Sequence, residues 1–159
     1  MTERISFRYA ERKDVSLILY FIIELAKYEK MEDEVIATAE QLEEWIFDKQ
    51  KAEVIFTVAD GREVGFALFF HSFSTFLGKA GMHLEDLYVL PEFRGLGYGK
   101  ATLKKLAEIA VERDCGRFEW SCLNWNKPSI DFYLSLGAEP MDGWTEFRVA
   151  GNALKKLAE

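Results

Sequence analysis

Asp60-Gly61 stands between two runs rich in β-branched and aromatic residues, Val54 to Ala59 and Glu63 to His71. Such a pair closes a two-residue hairpin because Asp and Gly accept the positive φ that this turn imposes. The two runs must then lie side by side, which commits the middle of the chain to an antiparallel sheet. The flanking segments read in the same terms. Ile5, Phe7 and Tyr9 alternate with Ser6 and Arg8 as a strand does, and Asp14 precedes a helical run through Leu17, Ile18, Phe21, Ile22 and Leu25. Thr38 with Gln41 has the spacing of a capping box and predicts a second helix that carries Leu42, Trp45, Ile46 and Phe47 toward a core. Met82 to Leu90 reads as a strand stopped by Pro91, Leu96 to Arg113 as a helix, and Arg117 to Leu123 as a strand. Ser129 to Leu136 reads as a helix closed by Gly137, and Thr145 to Val149 as a last strand before a short tail helix. Ser72 to Gly81 is the loosest segment. The order β-α-α-β-β-β-α-β-α-β predicts an α+β fold on a mixed sheet, and 159 residues suffice for one domain over 1–159.

Charge and composition narrow the class of function. Twenty-seven acidic against twenty basic side chains give a net charge of −7, which disfavours a nucleic-acid partner and suits a cationic one. No apolar stretch is long enough for a bilayer span, and Met1 to Ala10 lacks the pattern of a secretory signal, so the expected setting is the cytoplasm with no membrane partner. Cys115, Cys122, His71 and His83 make no recognisable zinc spacing; reduced thiols and no metal are expected.

Arg94-Gly95-Leu96-Gly97-Tyr98-Gly99 follows a strand and opens a helix, where backbone N–H groups and the helix dipole converge on an anion. A Walker loop would need Lys-Ser or Lys-Thr after its last glycine, whereas Gly99 is followed by Lys100-Ala101 and preceded, five residues back, by Arg94. A dinucleotide fingerprint needs Gly-x-Gly-x-x-Gly, and the third position falls on Lys100 or Thr102. A second constellation, Asn126-Lys127-Pro128-Ser129 with Tyr133, places Asn126, Ser129 and Tyr133 on one helical face, or else is a helix cap with a packed tyrosine.

Together, the loop behind Val89-Leu90-Pro91 and the Asn126 to Tyr133 element resemble the GNAT family of N-acetyltransferases. That resemblance implies the GNAT acyl-CoA N-acyltransferase fold, a mixed and mostly antiparallel sheet flanked by helices, with acetyl-CoA as cosubstrate and a homodimer. It implies that Gly95, Leu96, Gly97, Tyr98, Gly99 and Lys100 hold the pyrophosphate with Arg94 as charge complement. It assigns contacts with coenzyme A to Asn126 and Ser129, and faces Tyr133 toward the sulfur. Glu24-Leu25-Ala26-Lys27-Tyr28-Glu29, Glu85-Asp86-Leu87-Tyr88-Val89 and Gly143-Trp144 narrow the likeness to diamine (spermidine/spermine) N-acetyltransferases. In that branch Tyr28, Glu29 and Glu85 would meet the amine, and the peptide N–H groups of Leu87, Tyr88 and Val89 would hold the thioester and pantetheine. The animal polyamine enzymes carry basic residues after the tyrosine where this chain has Leu134-Ser135-Leu136, which leaves the 3′-phosphate of coenzyme A without a named cation there.

The chemistry needs a base and an acid. An alkylamine of pKa about 10.4 is roughly 0.04% neutral at pH 7. Side chains alternate across a strand, so one of Glu85 and Asp86 is expected to face the acetyl group, and Glu85, acting through water, is the expected base. A tyrosine of ordinary pKa about 10 is protonated at pH 7, which makes Tyr133 the expected acid for a thiolate of pKa about 8.5. Thialysine or another lysine-like amino acid is the alternative substrate. The alternatives of other classes are a non-catalytic coenzyme A sensor and, below it, a nucleotide-phosphate enzyme.

Overall fold

The computed structural model describes residues 4–159, which fall into two compact units, one running to Ser121 and the other Cys122–Glu159. In the first, five strands form one sheet in the order β1 (Ile5–Tyr9), β2 (Glu53–Ala59), β3 (Arg62–Ser74), β4 (Lys79–Val89), β5 (Phe118–Trp120). The first three pairings are antiparallel and the last is parallel, so the sheet is mixed, as expected. Asp60 at φ 49° and Gly61 at φ 80° close the β2–β3 hairpin in the left-handed conformation that the pair was read to favour.

Helices cover both faces. α1 (Val15–Tyr28) buries Ile18 and Phe21 against Val54, Phe56, Phe66 and Tyr88, with the Phe21 and Phe66 rings stacked at 5.3 Å. α3 (Tyr98–Glu112) covers the other face, where the buried hydroxyls of Thr57 on β2 and Thr102 share a hydrogen bond. Asp14 precedes α1 but does not cap it. Its carboxylate instead accepts two hydrogen bonds from Arg8, at 2.8 and 3.0 Å, and one from the Glu11 amide at 2.7 Å. This bidentate pair holds the Asp14 carboxyl below its ordinary pKa and pins the start of α1 to β1.

Four expectations change. Ser72 to Gly81 is no loose loop: Ser72, Phe73 and Ser74 pair with Gly81, Ala80 and Lys79, and only the turn between Ser74 and Lys79 is left, closed by Gly78 at φ 71° donating to the Ser74 carbonyl. The Thr38–Gln41 capping box forms and opens α2 (Ala39–Leu42), but the chain then widens into π-helical turns over Glu43–Asp48. The wider winding rotates Trp45 off the apolar stripe, and Lys49 covers its ring at 3.9 Å while Ile46 is buried. β5 spans only Phe118–Trp120 of the expected 117–123. Thr145–Val149 is not a strand. Its period of two marks an apolar side, but a strand exists only through a ladder partner, and this segment has none among the described residues, with Phe147 89% exposed. The second unit thus contains α4 (Lys127–Ser135) and α5 (Gly151–Leu157).

Candidate active site

The site is organised by one irregularity in β4. Leu68 pairs with Asp86 and Phe69 with Leu84, so Glu85 is the extra residue of a β-bulge. Two hydrogen bonds show its effect on the backbone. Met82 donates its amide toward β5, to the Arg117 carbonyl at 2.9 Å, whereas Leu90, an even number of residues on, donates to Val64 of β3 at 2.9 Å. Peptide groups alternate along a strand, so the phase must change between them. Past the bulge, Asp86 and Tyr88 turn their amides to β3, and Leu87 and Val89 turn theirs to the other side. β5 pairs with β4 only over Met82–Leu84, so no strand of the sheet covers that side of Leu87 and Val89. Of the three amides expected to hold the thioester and pantetheine, Tyr88's is spent within the sheet.

The same change of phase turns the Asp86 side chain toward the face that holds Tyr88 and α1, opposite to Leu84. Glu85, in the bulge, keeps a side chain 57% exposed, with His83 Nε2 at 3.8 Å from its carboxylate. Strict alternation would have excluded one of the two carboxylates. The bulge admits both to the neighbourhood of Glu29, which follows the last residue of α1. Their charges act on one another: burial, then the charges of Glu85 and Glu29, push the Asp86 carboxyl up to about 7. Burial and then Glu85 raise Glu29 as well. The Asp86 carboxylate accepts no hydrogen bond from the described residues, so nothing offsets its desolvation. Asp86 is the residue that sequence reasoning set aside. Its trace was a shift of apolar positions from Met82 and Leu84 to Leu87.

At the end of β4 the chain makes a short turn over Pro91–Phe93 and enters the glycine loop. Gly95 at φ 78° and Gly97 at φ 86° hold left-handed conformations, Gly97 as the residue that opens α3. The first helical bond runs from the Ala101 amide to the Gly97 carbonyl, so the amides of Tyr98, Gly99 and Lys100 precede the ladder. No side chain caps this end and no acid lies in its first turn. A Cβ at Gly95, Gly97 or Gly99 would meet nothing within 4 Å, so the surface above the loop is open. Free amides, a helix dipole, Lys100 and open space fit the pyrophosphate of a coenzyme A thioester. The Tyr98 ring is buried against Ala59 and Val64, which anchors the start of the helix; Leu96 is exposed.

Arg94 turns back from this loop. Its Nε donates to the Val89 carbonyl at 3.0 Å, and its guanidinium carbon lies 5.0 Å from the ring centres of both Tyr28 and Tyr88. One side chain therefore joins the glycine loop, the uncovered stretch of β4 and the end of α1.

In the second unit Asn126 caps α4, its Oδ1 accepting the Ser129 amide at 3.4 Å, with Pro128 in the first turn. Tyr133 lies on the same helix, half-buried, its ring 5.7 Å from that of Phe132, and Gly137 at φ 90° ends the helix. Among the described residues no group of three or more His, Cys, Asp or Glu could hold a metal ion, and no helix is long and apolar enough to cross a membrane.

Comparison with known proteins gives this geometry a context. The model of the acetyltransferase (GNAT) family matches residues 19–138. The chain is 37% identical to the thialysine N-epsilon-acetyltransferase of Sus scrofa, over 95% of each chain. It is 32% identical to the spermidine/spermine N(1)-acetyltransferase-like protein 1 of Homo sapiens over 95% of this chain and 23% of that protein. Among solved structures, an integron cassette protein from the mobile metagenome of V. cholerae superposes with a TM-score of 0.81 at 28% identity, covering 100% of this chain and 99% of that one.

Proposed function

This chain belongs to the acetyltransferase (GNAT) family, has its fold and is an acetyl-CoA-dependent N-acetyltransferase, and from that premise we propose that it acetylates the terminal primary amine of a small cationic substrate. The observation that carries this reading is the gathering of Glu29, Glu85 and Asp86 beside the uncovered amides of Leu87 and Val89. Carboxylates draw in an ammonium and lower-energy proton transfer follows from a raised pKa, while amides aimed at one place can hold a thioester carbonyl.

In this reading Gly95 to Lys100 bind the pyrophosphate, Leu87 and Val89 hold the acetyl carbonyl and pantetheine, and Asn126 and Ser129 contact coenzyme A. Tyr28 and Glu29 receive the amine. Its ammonium gives a proton to the Glu85–Asp86 pair, the free amine attacks the thioester carbonyl, the C–S bond breaks as Tyr133 protonates the departing thiolate, and the nitrogen's surplus proton restores Tyr133, so that the one proton held by the carboxylates is released overall. The family match crosses the boundary at Ser121, which supports one acetyltransferase domain over 1–159. The family resemblance supports a homodimer, and the sparse cysteines support a cytoplasmic setting.

For the amine, a lysine-like amino acid such as thialysine comes first, ahead of the diamines favoured by sequence alone. Its support is the pig relative, which matches nearly end to end. Diamines and polyamines remain the second reading, because three carboxylates would oppose a substrate's own carboxylate. The deciding assay sets thialysine, lysine, putrescine, spermidine and spermine against acetyl-CoA and follows thiol release. The highest kcat/KM is expected for thialysine. A preference for putrescine or spermidine would promote the second reading, and no turnover on any amine would overturn both.

A further inference from the structure

Arg94 carries a charge that no carboxylate of the described residues neutralises. What holds it is the Val89 carbonyl, two tyrosine faces and the Tyr88 hydroxyl, to which the guanidinium donates. An aromatic face attracts any cation, ammonium as readily as guanidinium, and the attraction at an exposed position is weak. Arg94 is exposed, and so is Tyr28, at 41%. The residue that opens the glycine loop thus covers Tyr28, next to Glu29, and also takes up the Val89 carbonyl on the uncovered side of β4.

We propose that Arg94 is a displaceable stand-in for the substrate's ammonium: a pyrophosphate on Gly95–Lys100 draws the guanidinium off Tyr28 and Tyr88, so acetyl-CoA binding opens the place where the amine binds. The inference rests on the reading of the loop as a pyrophosphate site and of Tyr28 as an amine contact. Its physical basis is a difference in partners. Two neutral tyrosines, one of them through its hydroxyl as well as its ring, and a carbonyl compete poorly with a phosphate diester anion for a guanidinium whose planar fork matches phosphate oxygens. Once the guanidinium leaves, an incoming ammonium can take the position it held against the two rings beside Glu29, and the Val89 carbonyl can accept from a pantetheine amide. An amine arriving first must displace Arg94 without a phosphate to receive it. Binding of the two ligands is therefore positively coupled, and thermodynamic linkage makes the coupling equal in both directions.

Calorimetric titration of the full chain with coenzyme A, with thialysine and with putrescine, each alone and in the presence of the other ligand class, tests this. In the wild-type protein the better amine should bind about 5-fold tighter or more when coenzyme A is present, with the same factor for coenzyme A in the presence of amine. Arg94→Ala should bring the factor to near one, by tightening the amine on the protein alone and weakening coenzyme A. Arg94→Gln, which keeps the length of the side chain but not its charge, should do the same and guards against a packing effect of the truncation. An undiminished factor in both variants, or amine binding to the unloaded variants no tighter than to wild type, overturns the proposal. Absence of coenzyme A binding to the wild-type chain would instead overturn the pyrophosphate reading, and the inference with it.

Discussion

Glu85 and Asp86 are adjacent carboxylates in opposite surroundings, the first largely in water and the second largely out of it. A proton taken from an alkylammonium is better received by a group near pH 7 than by an ordinary carboxylate, so Asp86 is matched to the task. Activity should rise with pH through about 7 as Asp86 ionises. Asp86→Asn should abolish that limb and lower kcat by roughly 10²- to 10⁴-fold. Glu85→Gln, by removing a neighbouring negative charge, should move the limb to lower pH. Profiles of kcat at saturating amine decide it; a limb left in place by both substitutions would count against the pair. The same residue bears on stability. Its folded pKa is raised above the unfolded value, so its contribution is whole below about pH 4 and lost as pH rises through about 7, a difference of about 4 kcal/mol for a rise from 3.8 to about 7. Asp86→Asn should therefore raise the melting temperature at pH 8 by several degrees and change it little at pH 4, which a thermal scan at the two pH values measures. Tyr133→Phe should cut kcat about 10²-fold while coenzyme A affinity holds; an unchanged kcat would remove Tyr133 from the mechanism.

At the level of elements, what the sequence made legible was what short stretches decide by themselves. Thr38 and Gln41 cap each other, Asp60-Gly61 turns the hairpin, and Gly137 ends α4, each through contacts within a few residues. The glycine loop belongs to this group, since a strand stop, two left-handed glycines and a helix start are local events. Gly97→Ala tests it. The added Cβ would meet no other atom within 4 Å, so the cost is that of a left-handed residue, about 1–2 kcal/mol of stability. If the loop amides hold pyrophosphate, coenzyme A affinity should fall further than that, and calorimetry beside a denaturant midpoint separates the two. What stayed hidden depends on partners distant in sequence. The pairing of Ser72–Ser74 with Lys79–Gly81 needs both strands to persist past their apolar cores, and Thr145–Val149 forms no strand because it has no ladder partner among the described residues. The bulge at Glu85 is of this kind too. It is defined by two pairings with β3, so alternation read along β4 alone singled out Glu85 and Asp86 but could not show that both lie within reach of the charge of Glu29.

Over the whole molecule a net charge of −7 sets a field that favours the approach of a cation. Raising salt from about 0.05 to about 0.5 M shortens the screening length several-fold, so KM for the amine should rise while kcat stays within about 2-fold. A KM for the amine insensitive to salt would mean that only the three local carboxylates matter. The sheet adds a consequence of its own. β4 consists of two stretches one step out of phase, with Met82 and Leu84 buried on one face, and Asp86 with the uncovered amides of Leu87 and Val89 on the stretch to which the proposed function assigns the chemistry. Each stretch can accept substitutions under its own constraint, because the joint between them decouples which side each one faces. Loss of a single residue at that joint would leave the strand order intact and exchange the roles of the two sides. A lineage built on this sheet can thus vary by phase as well as by composition, and a one-residue gap near position 85 in a relative would mark a changed chemistry more surely than many substitutions elsewhere.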